Sequence, residues 1–125
     1  MPTPEELRQR TKRFALRVMR LCRSLRGTDE ARTIARQLLR CGTSVGANYR
    51  AACRARSRAE FIARLGIVVE EADETMFWLE LLVDAGIVKE HLLKPLCGEA
   101  QELTALFTAA QYTARKRPKL QITNC

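Results

Sequence analysis

The chain has 125 residues, of which 46% are hydrophobic and only 6% aromatic, and its 22 basic residues outnumber 14 acidic ones. This length predicts a single domain, and the scarcity of aromatic residues, Gly and Pro disfavours β-sandwiches and barrels. The hydrophobic content is too high for a disordered chain, and no apolar run is long enough for a transmembrane helix. The polar N-terminus is unlike a signal peptide, so we expect a basic, helical, cytoplasmic protein without membrane contact.

The first two helices are predicted over residues 4–26 and 29–55. Thr3 and Glu6 have the spacing of a capping box, and Pro4 suits the first helical position. Apolar residues then recur every three or four positions, which is typical of a helix that buries one face. The positions expected to face inward are Leu7, Thr11, Phe14, Val18, Leu21 and Leu25 in the first helix, and Ala31, Ile34, Leu38, Cys41, Val45, Asn48 and Ala52 in the second.

The third and fourth helices are predicted over residues 58–85 and 89–116. Ser57 and Glu60 form a second capping box immediately before an apolar run. Pro95 predicts either a separate first turn or a bend in the fourth helix. The positions expected to face inward are Phe61, Leu65, Val68, Ala72, Met76, Leu79 and Val83 in the third helix, and Leu92, Leu96, Leu103, Leu106 and Ala110 in the fourth.

The connections between these four helices are short, and short connections make sequential helices antiparallel neighbours. The sequence therefore predicts an all-α, up-down-up-down antiparallel four-helix bundle over residues 1–117. A basic, flexible tail is predicted over residues 118–125, after a basic cluster at residues 115–119. Such a cluster is either a localisation signal or a solvated chain end.

Charge is segregated along the chain. Residues 1–58 hold 15 basic and 4 acidic residues, whereas residues 59–114 hold 3 basic and 10 acidic ones. Arginine dominates the basic half, and its planar guanidinium can bind two phosphate oxygens at once. These arginines therefore predict contact with nucleic-acid backbone, and the alternatives are a solvated face or docking onto the acidic half of a neighbouring subunit. The arginines at helical spacing are Arg10, Arg13, Arg17, Arg20, Arg32, Arg36, Arg40, Arg50 and Arg54.

Residues that could carry catalytic chemistry are scarce. The five cysteines contain no CxxC pair and are expected to be reduced, small hydrophobic residues. Acidic residues cluster within residues 70–74, but a di-iron bundle needs Glu-x-x-His on two helices, and the single histidine, His91, lies elsewhere. Phosphate-binding loops, dinucleotide fingerprints and catalytic triads are missing. We therefore predict no catalytic residues, no metal ligands, no cofactor and no enzymatic activity.

Two glycines, Gly42 and Gly46, interrupt the middle of the second helix, where each costs about 1 kcal/mol relative to Ala. This cost is understandable where another backbone approaches closely, and the alternative is a ligand pocket at the glycines. Asn48 lies on the predicted apolar stripe and needs a hydrogen-bond partner if buried. The candidate partners are Glu71, Glu74 and a backbone carbonyl.

The segment LLRCGTSVGANYRAACRARSRAEFIARLGIVVEEADETMFWLELLVDAG, residues 38–86, carries a resemblance to a known family. It resembles the four-helix bundle proteins related to products encoded in intervening sequences of large-subunit ribosomal RNA. The resemblance implies a structural motif and not a catalytic one. Its residues here are Gly42, Ser44, Gly46, Asn48, Ser57, Glu60, Phe61, Glu71, Glu74 and Trp78, followed by Leu79.

The resemblance also implies a mode of assembly. Such proteins look like homopentamers, and a distant relative, the accessory variability determinant of diversity-generating retroelements, is a basic pentamer that binds reverse transcriptase and RNA. We therefore expect an oligomeric, non-enzymatic scaffold that binds nucleic acid, with structured RNA favoured. The alternatives are an interaction module for an acidic protein, such as a polymerase or reverse transcriptase, and association of the basic first helix with a membrane surface.

Overall fold

The computed structural model describes residues 1–25 and 27–116, which form four helices. They are α1 (Pro4–Ser24), α2 (Asp29–Cys53), α3 (Arg58–Asp84) and α4 (Glu90–Lys116). Consecutive helices pack on one another along their length, and α4 returns beside α1, so the chain is a four-helix bundle as predicted. The predicted tail, residues 118–125, and residue 26 of the predicted first helix lie outside the described residues. Leu25 is described and caps α1 instead of belonging to it.

The helix starts follow the predicted caps. The hydroxyls of Thr3 and Ser57 accept hydrogen bonds from the backbone N–H groups of Glu6 and Glu60, each at 3.1 Å. The Glu60 carboxylate accepts from the backbone N–H of Arg56 at 2.6 Å, one residue before the cap. These bonds satisfy donors that the first turn of a helix leaves unpaired, and they fix where α1 and α3 begin.

The core is apolar and closed. Tyr49 of α2 and Phe107 of α4 are buried in it and pack together, with ring centroids 4.9 Å apart. Of the few polar groups inside, Thr11 and Thr75 donate back to carbonyls of their own helices, at Leu7 and Glu71. The largest side chains with no exposure are Phe14, Phe107, Leu38, Leu65, Leu79, Leu82 and Leu103.

Two predicted inward positions are wrong. Asn48 is half-buried and Tyr49 occupies the core instead, because the buried face of α2 continues from Val45 to Tyr49 and Ala52. Leu92 is 62% exposed, whereas the adjacent Leu93 is buried. At residues 92 and 93 two leucines stood at neighbouring helical phases, and tertiary packing selected the second. At residues 48 and 49 the three-four spacing also fitted either phase, and packing selected the aromatic residue over the polar one.

Pro95 lies inside a continuous α4, five residues after its first residue. Its ring removes the backbone hydrogen bond to the carbonyl of His91, close to the end of the helix where several groups lack helical partners already. Of the two predicted outcomes, a separate first turn is wrong. Within the described residues, none of the helices is long and apolar enough to cross a membrane.

Candidate nucleic-acid interface

The glycine pair of α2 sets the spacing between α1 and α2. A Cβ atom on Gly42 would lie 2.8 Å from Cγ1 of Val18, and one on Gly46 would lie 3.2 Å from Oγ1 of Thr11. Val18 and Thr11 are fully buried. The predicted approach of another backbone is found at Gly46, where the carbonyl carbon of Thr11 would lie 3.5 Å from the Cβ; at Gly42 the close neighbour is a side chain, and α1 is the approaching helix at both positions.

This close approach leaves a shallow polar groove on the outer surface between α1 and α2. Its floor is Gly46 with small residues beside it, and basic side chains stand on both walls. We call it the Gly46 groove; its lining includes Arg8, Lys12, Thr43, Gly46, Ala47 and Arg50. Arg8 forms an ion pair with Glu5 at 2.8 Å. The hydrogen bond between the two side chains is the main reason why the pKa of Arg8 is raised and the pKa of Glu5 is lowered.

Lys12 of α1 and Arg50 of α2 both line this groove. Neither forms an ion pair within the part of the chain that the structure describes. The groove therefore offers two uncompensated cations, which is the chemistry that a phosphate diester requires.

Farther along the same face lies a second groove of opposite character. Its walls are apolar, with two arginines at the rim. We call it the Leu39 groove; it is lined by Met19, Cys22, Arg23, Ala35, Arg36 and Leu39. The outer face of α1 and α2 is thus divided into a polar basic section and an apolar section with a basic rim.

The predicted arginines separate into two groups. Arg10, Arg32 and Arg40 each bind carboxylates of their own chain. The others form no ion pair within the described residues, and all of them except the half-buried Arg17 are exposed: Arg13, Arg17, Arg20, Arg36, Arg50 and Arg54. The second group, most of it solvent-facing, is the one available to a ligand.

Arg10 connects α1 to α4. Its Nη2 and Nε atoms donate to the two carboxylate oxygens of Glu99 at 2.6 and 3.0 Å, and Glu102 lies 3.3 Å away. Hydrogen bonding to Glu99 raises the pKa of Arg10. The side chains of Arg10 and Glu99 are about four-fifths buried, at 20% and 19% exposure, so this pair holds the weakest seam of the bundle together.

Residues of the family-like motif gather where α2 meets α3. Arg40 binds Glu71 at 3.3 Å and also binds Glu74, whose carboxylate accepts from the indole N–H of Trp78 at 3.0 Å. Asn48 donates from Nδ2 to the Ser44 carbonyl at 2.9 Å. Of its three candidate partners, a backbone carbonyl is therefore correct, while Glu71 and Glu74 serve Arg40 instead.

The four described cysteines are free thiols. Burial raises the pKa of Cys22, Cys41 and Cys97, which keeps them protonated and unreactive. The Cys22 thiol donates to the Ala35 carbonyl at 3.3 Å. Within the described ranges, no three His, Cys, Asp or Glu side chains are grouped so as to hold a metal ion.

Lys12 was not singled out from the sequence, and the structure places it in the lining of the Gly46 groove. Lys12 belongs to no arginine ridge, and only the packing of α1 on Gly46 brings it into the same groove as Arg50. The partners of Arg10 were also hidden, because Glu99 lies 89 residues away in the chain.

The fold and its charges define a basic four-helix bundle, and comparison with known proteins identifies its family. The chain belongs to the 23S rRNA-intervening sequence protein family, whose model matches residues 5–109. It is similar to a crystal structure of a protein of unknown function from the S23 ribosomal protein family of Bacteroides thetaiotaomicron. The two share 32% identity and a TM-score of 0.81 over 87% of this chain and 97% of that one. No curated protein matches the chain significantly.

Proposed function

We propose that the protein is a non-enzymatic, homopentameric scaffold of the cytoplasm that binds structured RNA through the outer face of α1 and α2. The observation that carries this proposal is the Gly46 groove, which is lined by Lys12 and Arg50, neither of which has a carboxylate partner among the described residues. Among the described residues that line it, the one acidic side chain, Glu5, is bound to Arg8.

The groove suits the phosphate backbone better than a small ligand. It is shallow, open and floored by small residues, so an extended polyanion can pass along it between the two helices. Three further arginines of this basic half are exposed and add to its positive charge: Arg13 and Arg20 on α1, and Arg54, which follows the last residue of α2. Backbone contacts of this kind position a nucleic acid without reading its sequence.

One feature favours RNA as the ligand, and a second favours self-association of the subunits that bind it. The family to which the chain belongs is described by an intervening sequence of 23S rRNA. The acidic half of the bundle repels nucleic acid but complements the basic half of a second copy. A ring of subunits would present several basic grooves to one RNA, and the high effective concentration would strengthen binding.

A salt titration with matched charge variants tests the proposal. Lys12→Gln/Arg50→Gln removes two positive charges from the Gly46 groove, and Lys89→Gln/Lys94→Gln removes two exposed charges from the acidic half. Binding of a structured RNA, a DNA duplex and anionic vesicles is measured over a range of salt concentrations. We expect the first variant to weaken RNA binding and to reduce the slope of log affinity against log salt by about 0.7 to 0.9 per lost contact.

The control variant has the same net charge and should bind RNA like the wild type. Equal losses in both variants would mean that net charge alone attracts RNA and that the groove is not the site. No RNA binding by the wild type would overturn the proposal and leave an acidic protein as the partner of the basic face. Tighter binding to DNA or to vesicles would assign the groove to those ligands instead.

A further inference from the structure

Helix α3 exposes large apolar side chains on the side that faces away from the core. Phe77 is 53% exposed and Ile67 is 37% exposed, and the half-buried Leu81 follows one turn after Phe77. Phe77 contacts Trp78 edge-on, with ring centroids 4.9 Å apart, which holds its ring upright. A helix that is apolar on two sides buries only one of them inside this bundle.

Acidic residues surround Phe77. Asp73 and Glu80 lie one turn before and after it, and Glu70 and Asp84 lie two turns away. All four are exposed, and none forms an ion pair within the described part of the chain. We call this surface, Phe77 and Leu81 with these four acids, the Phe77 ridge.

The Leu39 groove is the complement of this ridge in shape and charge. It is concave and lined by Met19 and Leu39, and Leu39 is 43% exposed. Its rim carries Arg23 and Arg36, neither of which forms an ion pair within the described residues. An apolar centre with a charged rim is the usual anatomy of a protein interface.

We propose that the Phe77 ridge of one subunit docks into the Leu39 groove of a second copy of this chain. Phe77 enters the groove beside Leu39, and the acids around it meet the arginines of the rim. The contact is heterologous, since it joins different surfaces of the two copies, and repetition of such a contact closes into a ring or extends into a filament.

This docking rests on the self-association in the proposed function, and it names the surfaces that join. It also explains the division of the α1–α2 face. The apolar section is covered by a neighbour, whereas the Gly46 groove, with Lys12 and Arg50, stays open for RNA on every subunit.

A mixing experiment tests the proposal. Phe77→Ser removes the ridge and keeps the groove, and Leu39→Ser removes the groove and keeps the ridge. Both side chains are exposed, so the fold should persist, as circular dichroism would verify. By light scattering at micromolar concentration we expect an oligomer for the wild type, about 70 kDa for a pentamer of 14.2 kDa chains, and monomers for each variant alone.

An equimolar mixture of the two variants should form a dimer of about 28 kDa, because one intact ridge meets one intact groove and both outer ends are blocked. Leu92→Ser, which removes a still more exposed leucine from α4, is the control and should assemble like the wild type. If either serine variant misfolds, the charge reversals Glu80→Lys and Arg36→Glu replace them; each should weaken assembly alone, and their mixture should restore it.

The contrary outcomes are distinct. A wild-type monomer would overturn both this docking and the self-association. RNA binding by the Gly46 groove would still be tested separately by the salt titration. Oligomeric serine variants would place the interface elsewhere and leave the proposed function standing. Monomeric variants that stay monomeric when mixed would show that ridge and groove are not partners.

Discussion

The two halves of the bundle use glycine differently, although both place one at a helix–helix contact. Gly42 of α2 meets the branched, fully buried side chain of Val18 in α1. Gly66 of α3 meets the amide end of Gln111 in α4, which donates to the Ile62 carbonyl at 3.0 Å. The branched Val18 side chain cannot move away from Gly42, whereas the end of the Gln111 side chain can move away from Gly66. The spacing of α1 and α2 is therefore fixed more strictly than the spacing of α3 and α4.

Charge separates the halves in the same way. On the α1–α2 face, Lys12 and Arg50 line the Gly46 groove, one turn of α2 away from Gly42, and neither forms an ion pair among the described residues. On α3, the uncompensated charges are acidic and surround Phe77. A strictly spaced basic surface can therefore bind a ligand while the acidic half is left for a protein neighbour.

The largest expected effect comes from breaking the contact at Gly42. Gly42→Ala should destabilise the protein by about 2 kcal/mol, because its Cβ would lie 2.8 Å from Val18, which is β-branched and enclosed and cannot move aside. Its thermal midpoint should fall by roughly 10 °C. Gly66→Ala is the matched variant and should be nearly neutral, since Gln111 can shift and Ala favours the helix by about 1 kcal/mol. Equal losses in thermal melts would mean that the two contacts do not differ.

A smaller effect separates two arginines of the same predicted ridge. Arg10→Gln should cost about 1 kcal/mol, because it leaves the largely buried Glu99 without its partner, and RNA affinity should not change. Arg13→Gln should leave stability unchanged and weaken RNA binding. Urea titrations and RNA titrations of both variants give the comparison. The distinction between paired and unpaired arginines fails if Arg10→Gln is the variant that loses RNA affinity.

Much of this fold is encoded locally and was predictable for that reason. Thr3 and Ser57 cap the helices through neighbours three residues away, and the glycine pair indicated a close contact without naming the helix that makes it. The errors at Asn48 and Leu92 arose where adjacent residues offered two phases for the same helix.

The candidate site depends on contacts between distant parts of the chain, which one sequence does not contain. Arg10 and Arg13 are indistinguishable in the helical pattern, and only α4 separates them by supplying Glu99. Likewise, Lys12 and Arg50 form one groove only because α1 lies close to Gly46. Charge segregation was visible in the sequence, but the assignment of each charge to a partner, a groove or solvent was not.

The most direct test of the central claim is to map where RNA touches the protein. Photocrosslinking of the wild type to a structured RNA, followed by mass spectrometry of the peptides, reports contact without any mutation. We predict crosslinks in the peptides that carry Lys12 and Arg50, and none in the α3 peptide that carries Phe77. Crosslinks concentrated on α3 or α4, with α1 and α2 unmodified, would contradict the account.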